Sequence, residues 1–315
     1  MKTKKTKALS RIIQCFSLFL ILHVVEELFI IPKLYNTRGV VACVGGFVIL
    51  LFYIRFINKP LEKIGFVFSR HKIRKGILLA ALFNLVPAVI VFAWEFYKHS
   101  ANGEHPVISI FFGSVEHSYS VAGASGLILW TLIGLAIAVI HAFFYEMSFR
   151  GLLITLGSRS MHFAAVNTIQ TALYTFWFLI PVVRVILFYG DRYSWHYILS
   201  LFVSLLVYES LAAAKLGLLR AATGSVWACI FDHIAFGFIL DMIHMQTTDA
   251  KMKVQLDASY FVRIVAYQAI ALLMVCIYYI IKKKKIKSSS KHRNSSHAAM
   301  ESKEASETAY GARYS

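Results

Sequence analysis

The sequence predicts an all-α, polytopic membrane protein with about eight transmembrane helices. Of its 315 residues 58% are hydrophobic and only 16% are charged, a balance too apolar for a soluble domain. Apolar runs of about 20 residues recur along the chain, the length a helix needs to cross a hydrocarbon core of about 30 Å. The net charge of +17 comes from Lys and Arg gathered between those runs and at both ends. That placement follows the positive-inside rule and makes membrane lipids the expected partners. Without a basic folded domain to carry it, nucleic-acid binding is excluded. Cys15, Cys43, Cys229 and Cys276 all fall inside apolar segments without CxxC spacing, so they read as small core residues.

Residues 1–11, MKTKKTKALSR, hold five basic and no acidic residues and form a cytoplasmic N-terminus. The run over residues 12–31 resembles a signal peptide only superficially. It is long enough to span, no small-residue cleavage site follows it, and it is read as the first helix, closed by Pro32. Glu26 and Glu27 near its far end are read as solvated interfacial groups. A second span covers residues 39–56. The basic segment after it, NKPLEKIGFVFSRHKIRK, interleaves Leu61, Ile64, Phe66 and Phe68 and is expected to lie along the cytoplasmic surface as a short interfacial helix or turn. Pro87 is expected to kink the third span, residues 76–96. The loop over residues 98–122 carries His99, His105 and His117 without metal-ligand spacing and reads as a solvated loop.

Further spans are expected over residues 125–149, 163–187, 197–219, 225–245 and 260–281, giving a membrane domain over residues 12–281. Lys282 opens KKKKIK, and residues 282–315 read as a basic, then disordered, cytoplasmic tail. The expected inside segments 1–11 and 55–75 carry five and seven Lys or Arg, whereas the outside loops carry one or two each. The inside loops after helices four and six are neutral, and the bias places both termini in the cytoplasm of a cell-membrane protein. No internal repeat is visible, in particular not the paired broken helices of an inverted-repeat transporter.

Polar residues of the membrane domain concentrate between His141 and His244. The fourth helix supplies His141, Tyr145, Glu146 and Arg150; the fifth supplies Asn167, Gln170 and Thr175; the seventh supplies Asp232, His233, Asp241 and His244. His23 and Asn84 in the first three helices read as isolated. A buried polar centre shared by helices four, five and seven is the expectation. Glu146 and Arg150, spaced i,i+4, lie on one helical face and can pair, which lowers the cost of holding either at membrane depth.

The run YEMSFRG resembles the EExxxR motif of the CPBP family of intramembrane proteases, which includes CAAX proteases and bacteriocin-processing enzymes. TGSVWACIFDHIAF resembles that family's third motif, in which a Gly-Ser start leads into a helix bearing a functional histidine. The likeness covers about residues 125–245, and residues 61–70, with IGF where the family often has LGL, add weaker support. It implies an intramembrane endopeptidase acting on a membrane-associated peptide or protein near the bilayer surface, with Glu146, Arg150 and His233 in the site. No cofactor or metal site is assigned.

Three positions depart from the family pattern. Tyr145 stands at the first glutamate, which is thought to activate water; Trp177 stands at the fifth-helix histidine; and Gly237 stands where an Asn or Asp follows the last histidine. A carboxylate in a low-dielectric pocket takes a proton from water near neutral pH, whereas a tyrosine, with an ordinary pKa near 10, does not do so comparably. Glu146 points about 100° around a helix from Tyr145 and cannot simply inherit its place. Losing a general base costs on the order of 10²–10⁴ in rate. His141, Asp232 and Asp241 are weaker candidates to make up the loss. Each also has an ordinary reading: Glu146–Arg150 as a structural ion pair, His233 as an interhelical contact, His141 as an interfacial group. Two alternatives to the enzyme therefore stand: a catalytically silent relative that binds or scaffolds membrane proteins, and a transporter or channel.

Overall fold

The computed structural model describes residues 2–31, 39–57, 60–110, 124–247, 261–285 and 288. Helix α1 (Lys2–Val25) runs into a π-helical turn, Glu26–Ile30, and is followed by α2 (Val40–Phe56) and α3 (Arg70–Ala101). Helix α4 (Ala124–Tyr145) continues through a π-helical stretch, Glu146–Leu153, into the short α5 (Ile154–Gly157). Then come α6 (Phe163–Tyr189), α7 (Trp195–Thr223), α8 (Val226–Met242) and the helix Phe261–Lys285, here α9. Pro32, His117 and the tail from residue 289 lie outside the described residues.

The protein is a helical membrane protein: six of the described helices are long and apolar enough to cross a bilayer. They are Lys4–Ile30, Arg70–Ala101, Leu132–Gly157, Phe163–Arg192, Trp195–Thr223 and Phe261–Lys285. The other two expected spans, α2 and α8, have 17 residues each and reach about 26 Å at 1.5 Å per residue, at the lower limit for crossing. Pro87 is buried within α3, which continues on both sides of it.

Four expectations are corrected. Residues 98–122 are not all loop: α3 continues to Ala101, and β1 (Pro106–Ile110) pairs antiparallel with β2 (Ile243–Thr247). The seventh span therefore ends at Met242, and His244 belongs to a strand whose partner is Ser109. Val107, Ile108, Ile110 and Ile243 supply the β-branched residues that favour this ribbon. Lys282–Lys285 opens the expected tail but is the last turn of α9, its Lys282 ammonium donating to the Ala222 carbonyl. Glu26 and Glu27 are not solvated: they are 0% and 5% exposed. Glu26 accepts the Val41 and Ala42 amides at 3.0 and 2.5 Å, and Glu27 pairs with Arg184 of α6 at 3.2 Å. A carboxylate at membrane depth is tolerable on those terms because the first amides of α2 have no intrahelical acceptor.

Contacts between helix ends show which ends share a side. The 3₁₀ turn Leu61–Ile64 and the chain just after it meet the α7–α8 turn. Arg220 donates to the Ile64 carbonyl at 3.1 Å, the Val226 amide to Gly65 at 3.0 Å and the Trp227 indole to Val67 at 3.0 Å. Gly65 has φ +89°, and the Arg220 guanidinium lies where its Cβ would be, so the position needs glycine twice over. Lys282 adds the end of α9 to that side. On the other side, Glu26 joins the end of α1 to the start of α2, and the ribbon joins the end of α3 to that of α8.

Two apolar cores fill the bundle. One gathers Phe19, Phe144, Phe149 and Trp177 among α1, α2, α4 and α6; the other gathers Phe83, Phe236 and Tyr267 among α3, α8 and α9.

Candidate functional site

The site is built where the π-helical stretch after α4 meets α8. The chain enters α8 through Gly224, at φ +67° beyond the end of α7, and Ser225, whose hydroxyl accepts the Trp227 amide at 3.3 Å. The glycine ends one helix in the left-handed conformation and the serine caps the next, so the Gly-Ser pair fixes where α8 starts and how its side chains are phased. That phase presents His233 to Glu146.

Glu146 Oε1 lies 2.8 Å from His233 Nδ1 and 3.1 Å from Arg150 Nη1. Glu146 and Arg150 are fully buried and His233 is 9% exposed. A carboxylate only accepts, so Nδ1 carries the proton, and Nε2 is the nitrogen His233 can offer elsewhere. Glu146 Oε2 is buried without a hydrogen-bond partner among the described residues. The Arg150 guanidinium also lies 4.1 Å from the centre of the Tyr174 ring, a cation–π contact that helps hold it in place. The expected i,i+4 pair is thus present, in a π-helical stretch instead of a regular α-helix. Such stretches are frequent at functional sites.

His233 lines a cavity of about 330 Å³ together with His141, Tyr145, Tyr174, Glu209 and Gly237. Its remaining walls are largely apolar and come from α4, α6, α7, α8 and α9. Glu209 of α7 is 5% exposed, and this second carboxylate of the cavity was not singled out from the sequence. A Cβ on Gly237 would meet nothing within 4 Å, so the helix leaves open volume there.

Tyr145 and Trp177 are packed in. Trp177 is fully buried, donates its indole N–H to the Tyr145 hydroxyl at 3.3 Å, and stacks on His23 with ring centres 4.0 Å apart. His23 in turn bonds the Trp177 carbonyl at 3.1 Å, so it is not isolated. Glu146 and His233 are in direct contact, leaving no water position between them.

The polar centre expected of helices four, five and seven is drawn differently. Gln170 of α6 donates to the Ala213 carbonyl at 3.0 Å and Thr175 bonds Ser210 at 3.0 Å, so these groups tie α6 to α7 and stand apart from His233. Asp232 projects about 100° around α8 from His233 and meets other helices. It pairs with Lys215 at 2.7 Å and accepts from Asn84 at 2.9 Å, and Tyr267 donates to Asn84 at 2.6 Å. Asp232 and Lys215 are fully buried, which makes this network a lock among α3, α7, α8 and α9. Asp241 belongs to the last turn of α8, and its side chain lies outside those described. Among the described residues no cluster of three or more His, Cys, Asp or Glu could hold a metal ion.

No family model matches this chain, and neither a curated protein nor a solved structure matches it.

Proposed function

We propose that this chain is an intramembrane endopeptidase of the CPBP type, acting on a membrane-associated peptide or protein. In this reading α2 and α8 also cross, giving eight spans in the cell membrane with both termini cytoplasmic. The observation that supports it best is the Glu146–His233 contact at the wall of the cavity, backed by Arg150. The carboxylate holds the Nδ1 proton and stabilises the imidazolium that forms when Nε2 takes a proton. A water in the cavity gives that proton to Nε2 as its oxygen adds to the scissile carbonyl carbon. His233 then returns the proton to the departing amine nitrogen as the C–N bond breaks. Arg150 is a positioning residue, since it acts through Glu146, and Glu209 and His141 are further acid–base groups of the same cavity.

A second reading, binding without cleavage, is favoured by one observation: the Tyr145–Trp177 pair fills the places of two polar family positions. The test is cleavage of quenched-fluorescent transmembrane peptides by protein reconstituted in liposomes. The expected result is cleavage that His233→Ala removes and Glu146→Gln lowers at least a hundredfold, the scale of a lost base. Cleavage of no peptide, or cleavage indifferent to both substitutions, overturns the enzyme. Photo-crosslinking of a membrane protein from a probe at Leu205, unchanged in His233→Ala, would then establish the binding role.

A further inference from the structure

The cavity at His233 is placed unevenly along the bundle. From α7 it takes Leu201 and Leu205, in the first half of that helix; from α8 it takes Gly237 and Leu240, near its end; from α9 it takes Phe261 and Ile264, at its start. These are the halves of the three helices that lie toward the β1–β2 ribbon, since β2 continues directly from α8. Toward the α7–α8 turn the same helices are packed shut: Leu216, Leu219, Cys229 and Val275 are fully buried in one apolar core. Beside α4 and α6 the wall is made by Tyr145 and Tyr174, both buried.

The way to His233 is therefore the ribbon side, and it is apolar. Next to the lining residues of α7 and α9, Phe202, Leu206 and Val262 are exposed hydrophobic side chains, so the edges of the cavity match the bilayer as its lining does. His233 precedes Leu240 by seven residues and lies about 10 Å deeper along α8 at 1.5 Å per residue. An extended segment covers that depth in about three residues. We infer, on the endopeptidase reading proposed above, that the substrate is an apolar membrane segment entering between α7 and α9 from the ribbon side. Cleavage then falls in the half of that segment on the ribbon side of the bilayer, which the eight-span path makes the outer leaflet. The hydrolytic water comes by the same route, because the other end is closed by the buried core.

The test is a thiol placed in the cavity. With the four native cysteines replaced, Gly237→Cys fits there, since its Cβ meets nothing within 4 Å. A small membrane-impermeant maleimide is expected to reach it in cells from the side on which Asn102→Cys reacts, at the ribbon end of α3. It is not expected to arrive from the side of Lys63→Cys on the 3₁₀ turn. Leu205→Cys, on the α7 wall, is expected to respond alike and guards against a local defect at position 237. In liposomes, a single-span apolar peptide is expected to slow this labelling about tenfold, the factor for a competitor at ten times its Kd, while added phospholipid leaves it unchanged. Reaction from the Lys63 side, no reaction at either position, or no slowing by the peptide overturns the entry route, whether or not the protein cleaves. The expected sidedness and protection, without any cleavage that His233→Ala removes, would support the entry route and overturn the endopeptidase alone.

Discussion

At the scale of single residues, the candidate site is held by charges that neutralise one another in direct contact. Glu146 and Arg150 are fully buried, so removing one member strands the other. Arg150→Met is expected to destabilise the protein by about 3–5 kcal/mol, and Glu146→Gln/Arg150→Met to recover most of that loss, because the cost lies in the unpaired charge. Thermal unfolding in detergent measures both; a small effect of Arg150→Met alone would show that the pair does not hold the π-helical stretch. This pair was legible because both members lie in one segment at a spacing that helices bring together, and His233 was legible from the Gly-Ser start of its helix. Lys215 was not. It stands five residues before Arg220, where a lysine ordinarily reaches for the interface. Only packing of α7 on α8 reveals that it is fully buried against Asp232. Glu209 was missed for the same reason, since nothing local to its helix marks it as facing His233.

At the scale of elements, helix positions were readable from apolar length, and their ends were not. The seventh expected span overran into β2, because Ile243 and Met245 continue the apolar run whether the backbone is helical or extended. The strand needs β1, more than 130 positions earlier, to exist. Pairing across the polar segments was equally hidden: Gln170 and Thr175 serve α7, a choice set by which helices adjoin. Close helix packing makes its own prediction. A Cβ on Gly76 of α3 would lie 3.1 Å from the Ala228 amide nitrogen and 3.2 Å from the Phe231 ring on α8. Backbone cannot yield as a side-chain tip can, so Gly76→Val is expected to cost about 1–3 kcal/mol and to shift α8, lowering any His233-dependent activity. Gly45→Ala, whose Cβ would meet only the Leu22 side chain, is the tolerant control. Equal melting temperatures for the two variants would contradict the α3–α8 approach.

At the scale of the whole molecule, the arrangement of helix ends constrains the path through the bilayer. The 3₁₀ turn, the α7–α8 turn and the end of α9 share one side, while the β1–β2 ribbon gathers the ends of α3 and α8 on the other. In the eight-span path proposed above, α8, with 17 residues, carries the chain across between the α7–α8 turn and the ribbon. Its shortness is accommodated by its place inside the bundle, where it meets protein on several faces and little lipid. The eight-span path proposed above also takes α2 across, and the contact between the end of α1 and the start of α2 is compatible with it. With all four native cysteines replaced, single cysteines at Lys4, His71, Ser158 and Lys284 are expected to resist a membrane-impermeant maleimide on intact cells and to react once the cells are opened. Cysteines at Asn102 and Asp191 are expected to react from outside. Two helices, α1 and α2, lie between Lys4 and Lys63, so with α1 crossing, opposite responses at these two positions would mean that α2 turns back instead of crossing. Labelling of Lys284 from outside would place the C-terminus in the wrong compartment for an eight-span path.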